Sequence, residues 1–288
     1  MGIQHLNKFL INKCKPSSIR KTHLSELSGK CIAIDTSIYL YKFVAENSLL
    51  ENFYLMISIF RHYTICPIFV FDGKPPKEKM ELLLKRRQRR QDSIQEYNKL
   101  KEHYETLENE NEKTELFKEM AVLKRESTSI SYDHLHDVKT LMRAYGVKYL
   151  QAEGEADILC VQLVNTGHVW GCMSDDMDMF VYGCPRVFRY FSLSNHDVVF
   201  YDTGAILSDL HMDIKEFREM AVLSGTDYTV FSCDGLLSMF DIHRYTENQS
   251  ILTQIGTPTF ETIDMKSLTL LLQKEGFVFI DYPITESV

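Results

Sequence analysis

Between Tyr149 and Phe180 the chain reads YLQAEGEADILCVQLVNTGHVWGCMSDDMDMF, and two groups of carboxylates stand in it: Glu153, Glu155 and Asp157, then Asp175, Asp176 and Asp178. Acids this close together repel. They are kept together by water, basic partners or divalent cations, and a hard cation such as Mg²⁺ prefers carboxylate oxygens. Ala156, Leu159, Cys160 and Leu163 fall on one face of a helix whose first turn carries Glu155 and Asp157. Acids there also serve as ordinary partners of the helix dipole, so the first group has two readings. The second follows an apolar run, Val169 to Met173, and so sits at the end of a strand.

Further acids sit at similar places. Cys31-Ile32-Ala33-Ile34 is a short buried strand ending at Asp35, and Pro67 to Phe71 is another ending at Asp72 and the turn Gly73-Lys74-Pro75-Pro76. Asp35 also fits the N-cap of the helix expected from about Ser37 through Tyr63. In open α/β sheets ligands bind beyond the carboxyl ends of the strands, so strand-terminal acids point to one shared site. A seventh acid, Asp227, follows a helix marked by Ile214, Phe217, Met220, Ala221 and Leu223.

Lys77 to Arg90 reads KEKMELLLKRRQRR, seven basic residues against two acidic ones, with Lys79, Arg86 and Arg90 along one helical face. A cationic face directly after Asp72 suits a phosphate backbone; the other reading is a solvated helix or a targeting signal. From Gln91 to Arg125 two apolar stripes, Tyr97/Leu100/Tyr104/Leu107 and Leu116/Phe117/Met120/Leu123, flank a polar break at Glu108 to Lys113. That predicts a helical hairpin, and stripes so thin predict one that projects from the core.

Other elements complete an α/β reading. A short amphipathic helix is expected within Met1 to Leu10, a helix over Ser131 to Tyr145, and strands at Val147 to Leu150, Val187 to Leu193 and Val198 to Tyr201. Phe231 to Tyr245 and Met265 to Gly276 read as short helices.

With 288 residues and 44% apolar content the chain can bury a large core, and its net charge of −8 averages over segments of opposite sign. Seven scattered cysteines without a C-x-x-C pair predict a reduced, intracellular setting, either nucleus or cytoplasm. No signal peptide and no 18-residue apolar run is present, so a soluble protein without a membrane partner is expected. There is no G-x-x-x-x-G-K-[ST], no G-x-S-x-G, no H-E-x-x-H and no zinc-like Cys/His spacing. What the acids and the basic helix fit is phosphodiester hydrolysis by two Mg²⁺ ions about 4 Å apart, clamping the phosphate and activating water.

MGIQHL, IAIDTSIYLYKF, FVFDGKPPKEK, YLQAEGEAD, SDDMDMFVYG and LSGTDY occur in the order and spacing of the flap endonuclease family, the structure-specific 5′ nucleases of the xeroderma pigmentosum G and Rad2 type. The chain resembles that family over residues 1 to about 228. The resemblance implies a PIN-like α/β domain over 1–205, with a central, mostly parallel sheet flanked by helices and a helical arch over about 77–130. A helical C-terminal region over 206–288 would carry a degenerate helix-hairpin-helix-like module. By motif, Asp35, Asp72, Glu155 and Asp157 would hold one Mg²⁺ and Asp176, Asp178 and Asp227 the other, with Mn²⁺ as a substitute. Lys79 and Arg86 fall on the catalytic phosphate contacts, Tyr41 on a base-stacking aromatic, and Gly2 where the N-terminus lies against DNA; Lys77, Arg87 and Arg90 extend the basic face. Glu153 and Asp175 match no motif position and are expected to be outer-shell or solvated.

The implied partner is DNA with 5′ flaps, ends or branched junctions, and the implied setting is replication, repair or recombination alongside the proteins of those processes. Two departures stand out. Tyr228 to Tyr245 has one glycine and no basic cluster where the family carries a Gly-x-Gly turn that grips duplex, often through K⁺. No Q-x-x-Φ-x-x-aromatic motif ends the chain, so sliding-clamp binding is not supported. Such trimming suits a divergent or viral member, with a cytoplasmic replication site in the viral case. A non-catalytic PIN-like scaffold and an RNA-directed nuclease are the competing readings.

Overall fold

The computed structural model describes residues 3, 5–107, 109–226, 237, 240–241 and 248–274. Its centre is a seven-stranded sheet whose inner strands are short apolar runs of the kind that bury both faces. Helix α1 (Leu6–Lys13) precedes edge strand β1 (Ile19–His23), and β2 (Cys31–Asp35) leads into α2 (Thr36–Ala45) and α3 (Leu49–His62). Strand β3 (Cys66–Phe71) is followed by a 3₁₀ turn at Lys77–Lys79 and two long helices, α4 (Met80–Thr106) and α5 (Glu110–Ser127). Then come α6 (Tyr132–Ala144), β4 (Tyr149–Gln151), α7 (Ala156–Asn165), β5 (Gly171–Met173) and α8 (Asp178–Val181). The hairpin β6 (Arg186–Ser192) and β7 (Asp197–Asp202) is followed by α9 (Thr203–Leu210), α10 (Ile214–Ser224), α11 (Gln249–Gln254) and α12 (Met265–Lys274).

The strand order is β1-β7-β6-β5-β2-β3-β4, with β6, β5, β2, β3 and β4 mutually parallel and β7 and β1 joined antiparallel at one edge. Strand alternation divides the core between the two faces. Ala33, Ile68, Val70 and Cys172 pack with α1 and α7, whereas Ile32, Ile34, Phe69, Phe71 and Met173 pack with α2, α3, α6 and α12. Phe53, Phe60 and Phe69 are wholly buried on the second side, each contributing about 1.5–3 kcal/mol of burial.

The single helix expected over Ser37 to Tyr63 is two helices. Asn47 takes a left-handed φ of 55°, the amide of Ser48 donates to the carbonyl of Phe43, and α2 stops there. Asn tolerates that conformation better than most residues, which is how the turn forms without glycine. Strand β1, sequence IRKTH, and the one-turn helix α8 were not expected from pattern. The hairpin of α4 and α5 is present: Ser93 is the buried residue of α4, its hydroxyl donating to Glu126 at 3.1 Å, and Leu84 and Phe117 stay exposed. The segment expected to be helical over Phe231 to Tyr245 lies largely outside the described residues.

Candidate functional site

Four neighbouring parallel strands, β5, β2, β3 and β4, each deliver acids just beyond or at their carboxyl ends. Asp35 closes β2 and Asp72 follows β3; Glu155 and Asp157 follow β4, and Asp175, Asp176 and Asp178 follow β5. Parallel pairing forces these ends to one side of the sheet, so residues more than a hundred positions apart meet there.

Two serine hydroxyls string three of the acids together. Asp35 caps α2, its Oδ1 accepting from the Ser37 amide at 3.1 Å, while the Ser37 hydroxyl donates to Asp72. The other oxygen of Asp35 accepts from the buried Ser174 hydroxyl at 3.0 Å, and Ser174 Oγ accepts from the Asp176 amide at 3.2 Å. The Asp176 carboxylate in turn accepts from the Asp178 amide at 3.1 Å. Both readings of Asp35 therefore hold at once: it is a helix cap and a member of the acid group.

Glu155 stands at the N-cap position of α7 without capping it, and accepts instead from Lys79 Nζ at 2.7 Å. The loop that carries it is fastened to the loop behind Asp72. Gly73 N–H donates to Gly154 O at 2.6 Å and Lys74 N–H to Glu153 O at 3.0 Å, an approach so close that a Cβ on residue 73 would collide with the Ala152 and Glu153 carbonyls. Asp72 Oδ1 completes the join by accepting from the Ala156 amide at 2.8 Å. A buried amide, Asn248, holds the same loop from behind. It accepts from the Glu153 amide at 3.3 Å and donates to Gln162 Oε1 at 2.9 Å.

The charges behave as one field. Burial, followed by the Asp72 charge, pushes the Asp35 carboxyl up to about 8, and Asp176 adds to the rise. Asp157 is raised well above the usual carboxylate range by burial and by Glu155, with Asp176 and Asp178 adding to it and Lys79 opposing. Burial would lower the Lys79 ammonium, yet Asp157, Glu155 and Asp178 together raise it above its ordinary value. Lys79 therefore answers acids from both sequence clusters, and six acids from four strand ends act on one volume.

The donor set is hard oxygen, without Cys or His, which suits Mg²⁺ or Mn²⁺ and not zinc. Among the described residues no three His, Cys, Asp or Glu side chains already form a closed metal-binding group.

The other expected residues fall as follows. Arg86 and Arg90 are half-buried on α4 beyond Lys79, Lys77 and Arg87 are exposed, and Tyr41 is exposed on α2. Glu153 is exposed, whereas Asp175 is half-buried and accepts from the Tyr190 amide at 2.8 Å. Gly2 and Asp227 lie outside the described residues. Ser37, Ser174, Gly73 and Asn248 were missed by sequence reasoning. Ser37, two places after Asp35, carried the pattern of an Asx cap, and Ser174 had only its place beside the acids.

All six described cysteines carry free thiols, and no described helix is long and apolar enough to cross a membrane. The XPG N-terminal domain pattern matches residues 1–93 and the XPG I-region pattern residues 146–227. The chain is similar to proteins named Flap endonuclease 1: 28% identical to that of Cryptosporidium muris over 88% of this chain and 58% of the relative, and 30% identical to that of Glossina morsitans morsitans over 94% and 71%. It thus spans little more than half the length of the first of these. Among solved structures, the catalytic core of Rad2 in complex with DNA aligns with TM-score 0.60 at 24% identity, covering 97% of this chain and 83% of that one. Flap endonuclease-1 from Methanococcus jannaschii aligns with TM-score 0.56 at 21% identity, covering 95% and 93%.

Proposed function

We propose that this chain, which belongs to the XPG and flap endonuclease family, is a structure-specific DNA 5′ nuclease that hydrolyses phosphodiester bonds in replication, repair or recombination. The observation that supports the reading most is the delivery of six acids to one end of the sheet by four adjacent parallel strands, with three of them acting on the buried Lys79.

In this reading Asp35, Asp72, Glu155, Asp157, Asp176 and Asp178, joined by Asp227, hold two divalent ions. When bound, Mg²⁺ supplies charge neutralisation at the phosphate and lowers the pKa of attacking water. The chain's own residues then have separable tasks. Ser37 and Ser174 keep Asp35, Asp72 and Asp176 in register by donating to, or accepting from, each in turn. Lys79 keeps its proton because three acids surround it, and so offers a fixed positive charge to a phosphate oxygen. Arg86 extends that charge up α4, and Lys77, Arg87 and Arg90 follow the strand further out. Tyr41 offers an exposed ring beside the site, and the hairpin of α4 and α5 arches over a 5′ end.

Residues 1–205 form the nuclease unit in this account and 206–288 a helical region beside it. Asp176→Ala tests the assignment: incision of a 5′ flap is expected to be abolished while DNA binding stays within about threefold. A variant that still cuts at the native rate overturns the assignment of the site.

A further inference from the structure

Six non-glycine residues among those described have positive φ, and five of them sit in caps, loops or turns. The sixth is Tyr190, at φ 57°, inside strand β6. Its pairing with β7 is irregular there, between Arg189 and Ser192. For a bulky side chain this conformation is a genuine outlier, and bulges beside active sites re-aim side chains.

The backbone of Tyr190 has a clear use, since its N–H donates to Asp175 Oδ1 at 2.8 Å, next to Asp176. That bond explains the bulge but not the tyrosine. Glycine would give the same N–H with no strain. The ring is instead fixed on its own account. Asn7 Nδ2 donates to its hydroxyl at 3.0 Å, and the Arg189 guanidinium lies 4.6 Å from its centroid. Arg189 is buried and anchored in turn, donating to Asn7 Oδ1 at 2.6 Å and to the Asp175 carbonyl at 2.8 Å. Tyr201 donates to the same Asn7 oxygen at 2.8 Å. With its hydroxyl and one ring face both engaged by the protein's own side chains, Tyr190 is still 46% exposed.

A rigid, backed aromatic with open surface, one guanidinium away from the Asp175–Asp176 loop, is what base stacking requires. Such rings are sequence-tolerant because every base has a π-face. We infer that Tyr190 is a stacking platform for a nucleobase of the DNA at the junction being cut, a second aromatic contact besides Tyr41. The inference rests on the nuclease reading and adds to it a residue that sets where the strand is seated.

Tyr190→Gly removes the ring, keeps the N–H to Asp175 and relieves the backbone. Binding of a 5′-flap DNA is followed by fluorescence anisotropy in EDTA, with 2-aminopurine placed in turn at each of the nucleotides flanking the junction. The expected result is a Kd roughly tenfold or more above wild type, in line with the worth of one stacked base. The quenching of 2-aminopurine seen at one position in the wild type is lost in Tyr190→Gly, and Tyr190→Phe and Tyr190→Trp restore both. Should Tyr190→Gly melt below the wild type, Tyr190→Phe against Tyr190→Leu decides, because the two share an apolar bulk and differ in the π-face. Wild-type affinity in the glycine variant, or equal affinity of Phe and Leu, overturns the inference. A wild-type protein that binds no flap DNA overturns the nuclease reading itself.

Discussion

The ammonium of Lys79 lies 2.7 Å from Oε1 of Glu155, with both side chains largely buried. Lys79 belongs to the 3₁₀ turn before α4 and Glu155 to the start of α7, so this pair ties the base of the α4–α5 hairpin to the acid group. Exposed ion pairs contribute little, but a buried one costs several kcal/mol to break from one side, because a charge is left uncompensated.

Lys79→Met is therefore expected to lower kcat for flap cutting about a hundredfold, the scale of losing one fixed donor at a developing charge. It should also lower stability, by about 3–5 kcal/mol. Lys79→Arg should not restore the rate, because a planar fork cannot replace a compact ammonium in the same space. Single-turnover rates and urea unfolding of the three proteins check this; full activity in Lys79→Met contradicts it.

Asp35 makes a pH prediction. Its carboxyl keeps a proton up to about 8 in the folded chain and releases it near pH 4 in an unfolded one. The folded state binds more protons across that window, so the residue's contribution to stability falls as pH rises through it. In metal-free protein Asp35→Asn should raise the melting temperature at pH 8, on the order of 5 °C, and much less at pH 5. Melting curves at the two pH values decide, and an equal loss at both counts against it.

If α4 follows phosphates, DNA affinity should fall steeply with salt. Each phosphate contact removed should lower the slope of log K against log salt by about 0.9, so Arg86→Ala and Arg90→Ala are each expected to flatten it by about one. Titrations at four salt concentrations measure the slopes. A flat response in the wild type would remove this helix from the binding account.

Much of the site was legible because its acids end apolar runs. Ile32 to Asp35 and Ile68 to Asp72 are buried strands with a carboxylate where a turn begins, and the parallel order of the sheet does the rest. What was not legible depends on contacts that no local pattern encodes. Ser174 reaches Asp35 across 139 positions, and Asn248 reaches Glu153 and Gln162 across 95 and 86. Strand β1 escaped notice because IRKTH is mostly polar and becomes a strand only by pairing with β7 at the sheet edge.

Asn47 separates helices that apolar periodicity alone would join. At φ 55° a Cβ-bearing residue is strained, so Asn47→Gly should stabilise the fold by about 0.5–1 kcal/mol, whereas Asn47→Ala should destabilise it by about 1 kcal/mol. Chemical denaturation midpoints test both signs. The opposite order would mean that the side chain of Asn47, not its backbone, makes the turn.

The most direct test of the nuclease reading is incubation of the purified chain with a 5′-labelled flap DNA and Mg²⁺, beside matched gapped, junction and blunt duplexes and an RNA flap. Incision near the base of the DNA flap, lost in EDTA and in Asp176→Ala, is the predicted result. No incision of any DNA in either Mg²⁺ or Mn²⁺ would contradict it.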